Sequence, residues 1–161
     1  MHYFVLEQDE RSKPSLVINA SANDVLEGSS LYVREELEVV FIDFVEEPQP
    51  IVSNRMKQLL ELYESRLAWT PVVLTAKEAK RQELYWYLQP SEREVLSDKS
   101  KRDRLGNVTT VVLDGNRLQQ ERLFCAGGRI IIQLDVAESL LRRAYTGMRL
   151  IPVEVDHRSS N

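Results

Sequence analysis

Histidine, the usual proton carrier and metal ligand near neutral pH, occurs only as His2 and His157, each without a second ligand at metal spacing. A histidine dyad or a zinc site is therefore not expected. The single cysteine, Cys125, lies in a strand-like run with no base beside it in sequence, and reads as a small buried apolar residue rather than a nucleophile. Gly127-Gly128 lacks the lysine and hydroxyl of a phosphate-binding loop, and no dinucleotide fingerprint follows a strand. Among the 25 Asp and Glu residues, only Asp43 is set inside a long apolar run, Val39–Val45, where it reads as a desolvated acid or as a carboxylate held by hydrogen bonds. Asp114, in Asp114-Gly115-Asn116, reads as a turn residue. Residue types alone thus assign no catalytic residue, no cofactor site and no metal ligand.

Three features suit binding instead. Glu35, Glu36, Glu38, Asp43, Glu46 and Glu47 form a stretch of acids without a base, which would steer a basic partner. Tyr85-Trp86-Tyr87 puts aromatics on both faces of one strand, with Leu84, Trp86 and Leu88 on one side and Tyr85 and Tyr87 on the other. One of those faces must pack on a core, and the tyrosine face is taken as the one that could anchor an interface. Lys99–Arg104, with four bases and one acid, has no recognition motif beside it and reads as a solvated connection.

The elements that must position these residues follow from local pattern. Tyr3–Leu6 opens as a strand, 19–30 is a polar loop, and Leu31–Val45 is the most strand-like stretch of the first half, ended by Pro48 and Pro50. Ser53 caps a helix over about 53–66, with Met56, Leu59, Leu60, Tyr63 and Leu67 in its apolar stripe. Strands follow around Val72-Val73 and over Glu83–Leu88, joined by a polar turn at 77–82. Residues 91–107 form a mobile polar connection, and Val108–Leu113 is a strand. Arg122–Ala126 and Arg129–Leu134 flank Gly127-Gly128 at hairpin spacing. Asp135-Val136-Ala137-Glu138 matches a capping box for a second helix over about 136–145, whose stripe is Val136, Ala137, Leu140, Leu141, Ala144 and Tyr145, with Gly147 as its stop. Met148–Val155 is a last strand, and 156–161 a frayed tail.

These elements predict a single α+β domain over residues 1–161, with a largely antiparallel or mixed sheet packed with two main helices. The length, 161 residues, suits one domain, and 43% apolar with 29% charged residues suits a folded core. A net charge of −4 gives no general attraction to phosphate backbones, so nucleic acid is not an expected partner. No apolar run approaches the roughly 18 residues of a membrane span, no signal peptide is visible, and a lone cysteine fits a reducing cytoplasm.

From Pro50 onward the order of short phrases resembles a bacterial immunity-protein family of polymorphic toxin systems, formerly a domain of unknown function. The phrases are Ser53-Asn54-Arg55-Met56 opening a helix, Tyr85-Trp86-Tyr87-Leu88-Gln89-Pro90 ending a strand, Lys99-Ser100, and a strand reaching Leu113-Asp114. Leu123-Phe124, the strand and helix from Ile130 to Arg143, and Tyr145-Thr146-Gly147-Met148-Arg149-Leu150-Ile151-Pro152 complete the set. They cover about two thirds of the chain; residues 1–49 match only loosely. The resemblance implies a cytoplasmic protein that binds and blocks a cognate toxin; the family has no agreed catalytic residue to carry over, and the absence of a catalytic set in the sequence agrees with that role. Glu35, Glu36, Glu38, Glu46, Glu47, Tyr85 and Tyr87 are then the expected contact residues, with a homodimer as a further form of contact. Two other classes stay open: a small enzyme working through carboxylates such as Asp43 and Asp114, and a structural or regulatory interaction protein.

Overall fold

The computed structural model describes residues 2–9, 11, 16–27, 30–36 and 38–157. In chain order the first half contains β1 (Tyr3–Gln8), α1 (Ala22–Leu26), β2 (Ser30–Tyr32), β3 (Phe44–Val45), β4 (Ile51–Ser53), α2 (Asn54–Tyr63), β5 (Ala68–Ala76) and β6 (Arg81–Gln89). The second half contains β7 (Lys101–Arg102), β8 (Val108–Thr110), β9 (Val112–Asp114), β10 (Leu123–Ala126), β11 (Arg129–Gln133), α3 (Leu134–Arg142) and β12 (Met148–Asp156). Helix and strand are both present, strand predominates, and the sheets are mixed, so the α+β content and mixed pairing stand.

Contacts group the chain into two compact units that interleave in sequence. One comprises the residues up to Glu7, Pro90–Arg143 and the chain from Leu150 onward. Its sheet has the order β10-β11-β1-β12-β9, antiparallel at β10–β11 and β11–β1 and parallel at β12–β9. The hairpin between β10 and β11 closes at Ala126 opposite Arg129, and Gly127 and Gly128 both have positive φ, as the tight turn requires. Alternation along β11 sends Ile131 into a core with Tyr3, Val5, Leu113 and Phe124, where the Tyr3 and Phe124 rings meet edge-on at 6.0 Å. Ile130 and Ile132 take the opposite face, and α3 packs against β11 through an apolar side formed by Val136, Ala137 and Leu140.

The other unit comprises Gln8–Gln89 and Ala144–Arg149. Its sheet has the order β2-β5-β6-β4-β3, with β2–β5 parallel and the remaining pairs antiparallel. One face of that sheet supplies Val45, Ile51, Val72, Leu74, Ala76 and Tyr85 to a core completed by Leu16, Ile18, Val25, Leu31 and Ile42. Helix α2 packs against β4 and β6, with Met56, Leu59 and Leu60 buried. Its Ser53 cap is as expected: the hydroxyl accepts from the Met56 amide at 3.3 Å.

Several expectations need correction. The Val39–Val45 run is not a strand apart from Phe44–Val45; Val39, Phe41 and Ile42 bury their side chains against the core from an irregular segment. Side-chain burial can be met from any backbone path, whereas a ladder needs a neighbouring strand, and here the Asp43 amide bonds to the Thr146 carbonyl instead. The 19–30 stretch contains α1, because its Ser and Asp form a true capping box, Ser21 with Asp24. The box expected at Asp135 does not form: α3 begins at Leu134 directly from β11, and Asp135 pairs with Arg122 at 3.2 Å. Helix α3 also stops at Arg142, Ala144 turns the chain with φ 51°, and Leu141 is 65% exposed rather than part of the buried stripe. Val108–Leu113 is two strands, split where the Ser100 hydroxyl substitutes for a ladder partner by donating to the Val112 carbonyl and accepting from its amide, both at 2.9 Å. Within 91–107, β7 and isolated bridges at Glu92 and Leu96 are present. Asp156 belongs to β12, and residues 158–161 of the expected tail lie outside the described residues.

Candidate functional site

Asp43 is the residue at which the second unit's elements converge. It is 5% exposed at its side chain, yet its carboxylate is fully engaged. Oδ1 accepts from Ser53 Oγ at 2.6 Å and Arg55 Nε at 2.7 Å. Oδ2 accepts from an Arg55 terminal nitrogen at 2.6 Å, the Thr146 amide at 2.7 Å and Thr146 Oγ1 at 3.0 Å. The two-pronged Arg55 grip is the strong geometry for a carboxylate, and the guanidinium also lies 4.8 Å from the Tyr145 ring centre. Burial pushes the Asp43 carboxyl up, but the bonds from Arg55, Ser53 and Thr146 together outweigh it and hold the group below the ordinary carboxylate range. An acid whose lone pairs are all occupied by protein donors cannot take a substrate proton without losing them, so this site is a structural clamp. It fastens 144–147 to the start of α2, and Tyr145 Oη adds a bond to the Arg55 carbonyl at 3.3 Å.

Asp114, the second acid considered for chemistry, is a turn residue in the other unit: it accepts from the Asn116 amide and pairs with Arg117 at 3.3 Å. Burial, with Glu92 nearby, pushes the Cys125 thiol up to about 12, which keeps it protonated and unreactive at neutral pH. No group of three or more His, Cys, Asp or Glu that could hold a metal occurs among the described residues.

The acidic stretch divides by role. Glu35 is a local cap, its carboxylate accepting from the amides of Glu78 and Ala79 in the β5–β6 turn at 3.0 to 3.1 Å. Glu46 exchanges bonds with Gln8: the Gln8 amide donates to Glu46 Oε2 at 3.2 Å and the Glu46 amide to Gln8 Oε1 at 3.0 Å. Glu36, Glu38 and Glu47 are exposed and make no salt bridge among the described residues. These three are the members of the stretch left exposed to another molecule.

The aromatic strand faces opposite to expectation. Tyr85 is 1% exposed, sits in the core, and donates its hydroxyl to the Ile42 carbonyl at 2.6 Å; burial raises its pKa far above the ordinary phenol value. Tyr87 lies on the same face, partly buried against the same core. Neither is an exposed anchor. The opposite face carries Trp86 and Leu84, and Leu84 is 39% exposed. Register places Pro71 across from Trp86 and Val73 across from Leu84, so four apolar residues form a continuous strip there. Trp86 is fixed by its indole donating to Asn54 Oδ1 at 2.8 Å and by the Lys57 ammonium 4.6 Å from its ring centre. Alternation identifies the two faces in the sequence; which one is buried follows from Tyr85 standing opposite the buried Val72, a pairing visible only once the register is known.

No family model matches the chain, and no curated protein matches it.

Proposed function

We propose that this protein is an immunity protein, which acts by binding a cognate bacterial toxin and blocking it rather than by altering bonds. The observation that carries the reading is the occupied state of Asp43: the most enzyme-like acid of the sequence is spent on folding. Supporting it, Glu36, Glu38 and Glu47 stand exposed for a basic partner, and the strip of Pro71, Val73, Leu84 and Trp86 offers apolar contact. The phrases from Ser53 to Pro152 that resemble an immunity-protein family supply the class of partner. The reading places the protein in the cytoplasm, and no helix among the described residues is long and apolar enough to cross a membrane.

The test is co-expression with the product of the neighbouring gene. Co-purification of the two proteins and rescue of growth are expected together. Rescue without a complex, or a complex without rescue, overturns neutralisation by direct binding.

A further inference from the structure

The basic segment that ends at Arg104 is a bonded hairpin rather than a loose connection. Strands β7 and β8 pair antiparallel as a two-stranded sheet of their own, and Asp103–Asn107 closes the turn between them. The Asp103 carboxylate accepts from the amides of Leu105 and Asn107, both at 2.9 Å, and from Asn107 Nδ2 at 3.2 Å. Across the turn, the Asp103 amide donates to the Asn107 carbonyl at 2.9 Å and the Gly106 amide to the Asp103 carbonyl at 3.1 Å, with Gly106 at φ 84°. A terminal nitrogen of Arg102 closes the ring on the Gly106 carbonyl at 2.9 Å. At its base the hairpin is fastened to the first unit by Val108, a buried member of the core with Leu113 and Phe124.

This turn holds out Leu105, which is 88% exposed, the most exposed large apolar residue described. An exposed leucine by itself is ordinary, but a turn bonded in this way keeps the side chain in solvent instead of letting it fold back on the protein. Lys101, Arg102 and Arg104 flank it, are exposed, and make no salt bridge among the described residues. Lys99, by contrast, pairs with Asp156 at 3.4 Å. Asp103 is the one acid between Lys101 and Thr110, and its carboxylate faces the turn amides.

We infer that this hairpin docks the protein on the surface of an anionic bilayer, with Leu105 entering the interface and Lys101, Arg102 and Arg104 at the level of the lipid phosphates. Such a bilayer is negative at its surface and apolar just beneath, which matches an apolar tip set among cations. A protein partner fits less well, because an interface needs a contiguous apolar centre, and residues 101–107 offer Leu105 no apolar neighbour. Phosphates of a nucleic acid would engage the cations and leave Leu105 unused, and the turn has no aromatic side chain on which a base could stack. Because the whole chain has a net charge of −4, the attraction is confined to the hairpin, and it fades within a Debye length, roughly 8 Å at physiological ionic strength. The inference goes beyond the immunity reading and does not depend on it.

The full chain is sedimented at low salt with vesicles of equal parts phosphatidylglycerol and phosphatidylcholine, and with vesicles of phosphatidylcholine alone. Binding to the mixed vesicles at millimolar lipid is expected, and binding to the neutral ones about 10-fold weaker or less, since each cation near an anionic surface is worth roughly 5-fold. Lys101→Gln combined with Arg104→Gln, which spares the Arg102 bond to Gly106, should weaken binding to the mixed vesicles by about 20-fold. Leu105→Ser should weaken it by about 5-fold, and Leu105→Trp should strengthen it, because an indole favours the interface. Each of these changes alters an exposed side chain, and unchanged urea midpoints show that the fold is intact. No binding to the mixed vesicles, or equal binding to both kinds, overturns the inference; a toxin complex weakened by Leu105→Ser in that case assigns the hairpin to a protein interface. Mixed-vesicle binding that Leu105→Ser leaves unchanged overturns it as well, since a patch that reads only phosphate would bind a DNA duplex equally. Binding that requires both the cations and Leu105 upholds the inference whether or not a toxin is bound.

Discussion

Asp43 shows what a single buried charge demands. A carboxylate removed from water is tolerated only when donors replace the water, and Ser53, Arg55 and Thr146 do so from two distant parts of the chain. The Arg55 side chain is 58% exposed, so solvent screens part of the ion pair. Asp43→Asn is therefore expected to cost about 2–3 kcal/mol at pH 7, below the full cost of breaking a wholly buried pair, as read by urea denaturation. The native carboxyl is held below its ordinary value, so its contribution is complete above about pH 4, the unfolded value, and is lost as pH falls through the lower native one. The stability gap between wild type and Asp43→Asn should shrink across that acidic window. A gap that is constant with pH would show that the charge is not what stabilises the clamp.

At the scale of elements, one hydroxyl serves two structures. Ser53 caps α2 and also donates to Asp43, so Ser53→Ala removes a cap and a charge-assisted bond together, about 2 kcal/mol in thermal or urea unfolding. Loss of only a few tenths would mean that water replaces the hydroxyl without penalty. The β10–β11 hairpin gives a graded comparison, because both turn glycines have positive φ but unequal surroundings. A Cβ at Gly127 would stand 2.6 Å from Val108 Cγ2 and 2.8 Å from Leu96 Cδ1, whereas at Gly128 nothing lies within 4 Å. Gly128→Ala should cost about 1–2 kcal/mol from backbone conformation alone, and Gly127→Ala clearly more. Equal losses would contradict the turn geometry. Proline placement belongs to this scale as well. Pro71 lies in the part of β5 that β2 does not cover, and Pro152 in the part of β12 that β9 does not cover; each deprives an otherwise open edge of a donor.

For the molecule as a whole, the proposed binding function depends on which surface charges are not committed to internal bonds. Glu35 and Glu46 are committed to internal bonds, so a charge-reversal test belongs on Glu36, Glu38 and Glu47. If the proposed reading holds, replacing all three by lysine should slow association with the toxin by at least 10-fold at low salt, through loss of steering, with the difference narrowing as salt screens the field. Stopped-flow association at two ionic strengths measures it, and a rate that is unchanged at low salt removes the acidic surface from recognition. Reversing Glu35 as well would confuse the result, since its carboxylate holds the β5–β6 turn amides and the fold itself would be disturbed.

Local chemistry is what the sequence by itself determined. The Ser53 cap, the Gly127-Gly128 hairpin and the turn at Asp114 each depend on neighbours within a few residues, and so can be read in order along the chain. Only the tertiary structure decided that residues 39–43 are irregular, that α3 ends at Arg142 and that the tyrosine face of β6 is the buried one. The partners responsible are remote: Thr146 lies 103 residues from Asp43, and Ile42 lies 43 residues from Tyr85. Apolar side chains state that they must be buried, but not from which backbone path or against which partner. That choice is made by the few geometries that also satisfy a charge such as Asp43.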